Sequence, residues 1–128
     1  MEASLIFLAF TAMLIGAFDC GQFLFIHQAL VERARYAARW GAINDPADSA
    51  SIANMVLYRQ ATKPPEGTPS YFNLSTANVS VTSPGAGTDN YYLQVRIEGY
   101  SYTVLSPYIA GKYTGAPITV SVPLGLYN

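Results

Sequence analysis

The sequence predicts an α+β protein: a long N-terminal α-helix, apolar in its first half and amphipathic in its second, packed on a small antiparallel β-sheet head. Three observations predict it. Residues Ala3 to Val31 are almost uninterruptedly apolar and hold no Lys or Arg. The stretch QALVERARYAARWGAIN, from Gln28 onward, is rich in Ala, Leu, Glu and Arg, all strong helix formers. Beyond a proline-rich break, three segments alternate apolar and polar side chains with a period of two, the mark of half-buried strands.

The first element is expected to run as one helix from Glu2 to Ile43, roughly 60 Å at 1.5 Å per residue. That is about twice the hydrocarbon thickness of a bilayer, so half of it projects beyond any membrane it crosses. Asn44-Asp45-Pro46 ends it, because a residue before proline leaves the α region. Small residues recur at four-residue spacing in the pairs Ala12 and Gly16, Ala17 and Gly21, Ala34 and Ala38, and Ala38 and Ala42. Each pair shares a face on which another helix can approach closely. Glu2 stands at the very start, and a carboxylate carried into hydrocarbon costs several kcal/mol unless it is paired. A neighbouring copy offering a free amino terminus is one such partner. Asp19 and His27, eight residues apart, interrupt the run and read as contacts to neighbouring helices or water; one Asp and the sole His are too few to hold a metal. Cys20, the only cysteine, excludes an intrachain disulfide and is expected to be buried and inert.

The division expected is a transmembrane or filament-core helix over 1–44 and a globular head over 45–128. In the head, Asp45 is the expected N-cap of a second helix, with Pro46 at its first position and Ile52, Met55, Val56 and Arg59 recurring toward Thr62. Pro64-Pro65-Glu66-Gly67-Thr68-Pro69 suits neither helix nor sheet. Three strands follow, carried by Val79 and Val81, by Leu93, Val95 and Ile97, and by Ile118, Val120 and Val122. Pro84-Gly85-Ala86-Gly87 joins the first two as a hairpin, and a longer connection with Ser106-Pro107 and Gly111 leads to the third. The sheet's apolar face needs a cover, which the amphipathic half of the long helix, including Trp40, and the second helix supply.

Composition narrows the function. Of 128 residues, 51 % are hydrophobic and only 12 % charged, which suits a surface hidden by membrane or by copies of the chain. The net charge of −1 gives no electrostatic basis for binding nucleic acid. No enzyme site or cofactor is expected. The eight acids are dispersed, and Asp45 and Asp48 are explained by a helix start. No histidine is placed as a general base in the head, and neither a phosphate-binding glycine loop nor a Cys-x-x-Cys-His attachment occurs. The ten tyrosines suit strands and half-exposed packing surfaces. Asn73-Leu74-Ser75 and Asn78-Val79-Ser80 fit the glycosylation pattern, which chance produces readily in a Ser/Thr-rich segment.

The segment EASLIFLAF, the stretch QALVERARYAARWGA and the late strands with a Ser-Pro-Tyr connection resemble the TadE-like pilins of tight-adherence systems. Glu2, Ala3, Ser4 and Leu5 match the family's Glu-Phe-Ala-Leu start loosely; Gln28, Ala29, Ala37, Ala38 and Arg39 match its second segment better. Leu8 stands where members often carry a proline, and Glu2 is second in the chain where type IV pilin-like proteins have their glutamate fifth. The resemblance implies a structural pilin subunit, held in the cytoplasmic membrane until a prepilin peptidase removes a basic leader. Assembly machinery then moves its helix into an extracellular helical homopolymer on the bacterial surface. In that picture Glu2 meets an amino terminus, and Ala12, Gly16, Ala17, Asp19 and Gly21 face neighbouring helices. The alternatives are a single-pass anchored extracytoplasmic binding module and a minor or priming pseudopilin.

Overall fold

The computed structural model describes residues 1–104 and 111–125. The expected Ser106-Pro107-Tyr108 connection lies outside them. Helix α1 spans Glu2–Ile43, 42 residues without a break. It closes on Asn44, whose backbone N–H donates to the Trp40 carbonyl at 3.0 Å while its side-chain amide donates to the same oxygen at 2.9 Å. Helix α2, Ser49–Tyr58, crosses the same side of the sheet. Two short 3₁₀ turns, Tyr71–Asn73 and Thr76–Asn78, lead into strand β1, Val79–Thr82. Strands β2, Tyr92–Ile97, β3, Ser101–Val104, β4, Gly111–Thr114, and β5, Ile118–Pro123, complete the described chain.

The main sheet is antiparallel in the order β1-β2-β5, built from the three alternating segments. Its register places Val79 opposite Ile97 and Val81 opposite Val95. On the other side of β2, Leu93 faces Val122, Val95 faces Val120 and Ile97 faces Ile118. Since side chains alternate between faces, this register gathers the valines, leucine and isoleucines of the three strands on one face and leaves Tyr92 on the other. Onto that face fold Ile52, Met55, Val56 and Leu57 of α2 and a stripe of α1: Ile26, Leu30, Ala34, Ala37, Ala38 and Gly41. Helix α1 lies over β2 and β5, and α2 over β1. The molecule is thus α+β, a long helix packed on a small antiparallel sheet.

Small residues set how closely α1 approaches. A Cβ on Gly41 would sit 2.6 Å from Ile52 Cδ1 and 2.9 Å from a Leu93 methyl. The hydrogen at that position lets the helix rest directly on the junction of α2 and β2.

Three local expectations are corrected. The N-cap of α2 is Asp48: its Oδ1 accepts the Ser51 backbone N–H at 3.0 Å. Asp45 forms a side-chain turn, accepting the Ala47 N–H at 2.9 Å, because Pro46 leads a tight bend before the helix begins. The helix ends at Tyr58, since Arg59 takes left-handed backbone angles (φ 59°, ψ 26°) as C-cap and does not continue the turn toward Thr62. The connection from β2 to β5 holds a second antiparallel pair, β3 with β4, in which Tyr102 faces Tyr113.

Candidate assembly surface

The second half of α1 is consumed by the head; the first half is not. Ten large apolar side chains between Leu5 and Phe25 are each more than half exposed, Phe7 at 71 % and Met13 at 76 %. Burying that exposed surface is worth on the order of 10–20 kcal/mol at the usual ~1.5–3 kcal/mol for a full apolar side chain. This is comparable to the ~5–15 kcal/mol by which a domain is stable, so covering the rod would be strongly favourable. By length and composition α1 can cross a membrane, and the chain itself buries none of its most apolar window. A possible N-terminal membrane-spanning helix is therefore part of the architecture.

The predicted assembly residues sit on this rod. Glu2 is exposed in the first helical turn, where the helix dipole favours a carboxylate, and Met1 offers no side-chain cap. Among the described residues the ion pairs are Glu32–Arg35 at 3.1 Å and Arg96–Glu98 at 3.0 Å, and Glu2 is in neither. Ala12, Gly16, Ala17 and Gly21 are exposed, and nothing lies within 4 Å of a Cβ built on either glycine. Ala17 and Gly21 floor a shallow apolar groove with walls from Leu14, Phe18 and Phe25. Ala34 and Ala38, by contrast, are fully buried against the head, so the small-residue spacing serves the chain's own core there. Asp19 is half-buried. Cys20, expected to be buried, is exposed, because no part of the described head reaches its face of the rod.

The head meets the rod at a definite height. Past Gly99 the chain enters β3, which descends α1 toward its N-terminus. Tyr100 Oη lies 3.3 Å from His27 Nδ1, a hydrogen bond whose donor follows the imidazole tautomer. Tyr102 packs on Phe23 at 5.0 Å between centroids and stacks on Tyr113 at 6.0 Å. Two strand residues advance about 6.6 Å and four helix residues 6 Å, so the ribbon keeps step with the helix. Burial, and secondarily the adjacent Tyr102, push the Tyr100 phenol above its ordinary value. Its ring rests over Gly115, where any Cβ would overlap it.

On another side of α1, Phe72 stands edge-on to Phe25 at 6.5 Å. Phe72 and Asn73 both hold positive φ, 50° and 55°. Tyr71 packs on Phe72 at 4.6 Å and is covered by the Arg33 guanidinium 3.9 Å above its ring. Asn78 is committed internally: Nδ2 donates to the Glu98 carbonyl at 3.0 Å and Oδ1 accepts from the Ser75 backbone at 2.9 Å. Among the described residues no three His, Cys, Asp or Glu side chains converge as metal ligands.

Sequence reasoning missed this aromatic contact zone. Its one legible signal was the alternation Ser101-Tyr102-Thr103-Val104, which has the strand period. Compared with known protein families, curated proteins and solved structures, the chain matches none.

Proposed function

We propose that this chain is a structural pilin subunit of the type IV-like, tight-adherence kind, which polymerises through the apolar half of α1. The observation that carries the reading is the division of one unbroken helix into a half that completes the head and a half that the head leaves bare. A bare apolar rod with open small-residue positions at Gly16 and Gly21 suits parallel packing against identical rods. The membrane holds the rod before assembly; a filament core of like helices receives it afterwards. Transfer exchanges one apolar environment for another, and close packing supplies the gain. The residues proposed to assemble are Glu2, Ala12, Gly16, Ala17, Asp19 and Gly21, and the partners are further copies of the chain, the cytoplasmic membrane, a prepilin peptidase and the assembly machinery. No catalytic role is proposed.

Glu2 sets register more than strength, since a buried charge pair roughly repays its own desolvation. Glu2→Ala is expected to insert into the membrane normally and to be absent from filaments, as read by immunoblotting of membrane and sheared-filament fractions. Normal incorporation would remove Glu2 from the mechanism. The reading as a whole is tested by electron microscopy of surface filaments, with mass spectrometry of their N-termini. Isolated copies that stay single in detergent and build no fibres would favour an anchored binding module instead.

A further inference from the structure

Aromatic side chains of the head gather around α1 at the level of Phe23 to Phe25. Tyr102 and Tyr113 stand on one side, on the β3–β4 ribbon. Phe72 stands on another, fixed by left-handed backbone and leaning edge-on against Phe25. Phe72 and Tyr113 each remain 39 % exposed. Lys112 lies beside Tyr113 on the ribbon and lines, with Phe72 and Gln22, the cleft between ribbon and turn. Half-exposed rings at one height with a cation among them match a membrane–water boundary, where rings settle at headgroup depth and lysine reaches the phosphates.

The β3–β4 ribbon limits how deep the helix can sit. The ribbon cannot enter the hydrocarbon core: β3 and β4 pair with each other and with no other described strand, and open strand edges are not tolerated in lipid. The ribbon runs on past Tyr102 to Val104 and Gly111, about one further turn down α1, so the hydrocarbon ends no higher than that point and the level of Phe23 to Phe25 stands about 6 Å or more above it, in the headgroup layer. Asp19 then lies within one turn of the boundary, where a carboxylate can reach the interface.

We propose that Phe72, Tyr113 and Lys112 form a collar that docks on the phospholipid headgroup layer while α1 spans the bilayer. The head then sits directly on the membrane, not at the end of a free stalk. This rests on the membrane stage of the reading above and is independent of the filament.

The test uses the full-length chain in vesicles of phosphatidylcholine and phosphatidylglycerol that carry a quencher either near the headgroup or at the acyl terminus. Trp40, the sole tryptophan, lies about 25 Å farther along the helix axis than Phe23 and serves as the unquenched reference. Phe72→Trp and Tyr113→Trp, in separate chains, are expected to lose emission to the shallow quencher, and less to the deep one, while wild type loses little. Lys112→Glu in the Phe72→Trp chain is expected to reduce that loss. Emission like wild type at both positions in an inserted chain overturns the collar. So does shielding that ignores lipid quenchers and grows with protein-to-lipid ratio, which would place a second copy there. A chain that fails to float with alkaline-washed vesicles overturns the membrane stage and the collar together.

Discussion

Asp48 shows how one carboxylate can decide where a helix begins. The sequence Asp45-Pro46-Ala47-Asp48 offers two candidate caps, and the proline draws attention to the first. The choice falls on the second because Asp48 alone accepts the Ser51 N–H, and that bonding, side chain and backbone of Ser51 together, holds its carboxyl below the usual value of 3.8. A carboxyl with a lowered folded-state pKa stabilises the fold above its unfolded value, and the contribution is lost as pH falls through the folded one. Asp48→Asn, itself a good cap, is expected to leave neutral-pH stability nearly unchanged and to flatten the loss of stability below about pH 4. Melting followed by circular dichroism across that range checks it; an unaltered acid limb would exclude the role. Phe72 is the opposite case, illegible in advance. Left-handed backbone costs a bulky residue about 1–3 kcal/mol, and nothing in Ser70-Tyr71-Phe72-Asn73 announces it. The conformation follows from tertiary contacts, with Leu74 buried on one side and Phe25 waiting on the other.

Among the elements, periodicity carried most of the information. The three strands of the main sheet follow directly from alternation, because that pattern meets a single apolar face, and the long helix follows from its apolar and then Ala-, Leu-, Glu- and Arg-rich composition. The ribbon escaped for a physical reason: its strands are four residues each, and β4 is exposed throughout, so no apolar face advertises it. Gly41 escaped for another, since a glycine inside a helix carries no sign of what it touches. Its Cβ position is occupied in effect by Ile52 and Leu93, both fully buried and unable to yield freely. Gly41→Ala sets a helix-propensity gain of about 1 kcal/mol against overpacking of about 1–3 kcal/mol. The expected net is a destabilisation of up to about 2 kcal/mol, read as a lowered denaturation midpoint with an unchanged denaturant slope. A stabilised variant would show that α1 can lift away from the junction.

At the scale of the molecule, the boundary between helix and head is not a boundary in the core. Leu30, Ala34, Ala37 and Ala38 belong to α1 yet lie at 0 % exposure beneath the sheet. A chain beginning at Asp45 is expected to expose Leu93, Val95 and Ile97 and to aggregate. One beginning at Gln28 keeps the cover and is expected to be soluble and cooperatively folded. Chromatography and thermal melts of the two distinguish these outcomes, and a folded, monomeric Asp45 chain would give the head an independent core.

The absence of any break in α1 has a mechanical consequence. No proline interrupts Glu2–Ile43, so there is no joint between the greasy shaft and the part gripped by the sheet. The helix is a lever, with the head clamped to one arm. Any torque applied to the other arm, by lipid, by a neighbour or by a pulling machine, turns the whole head with it. The orientation of every exposed side chain on the head is thereby dictated from about 30 Å away.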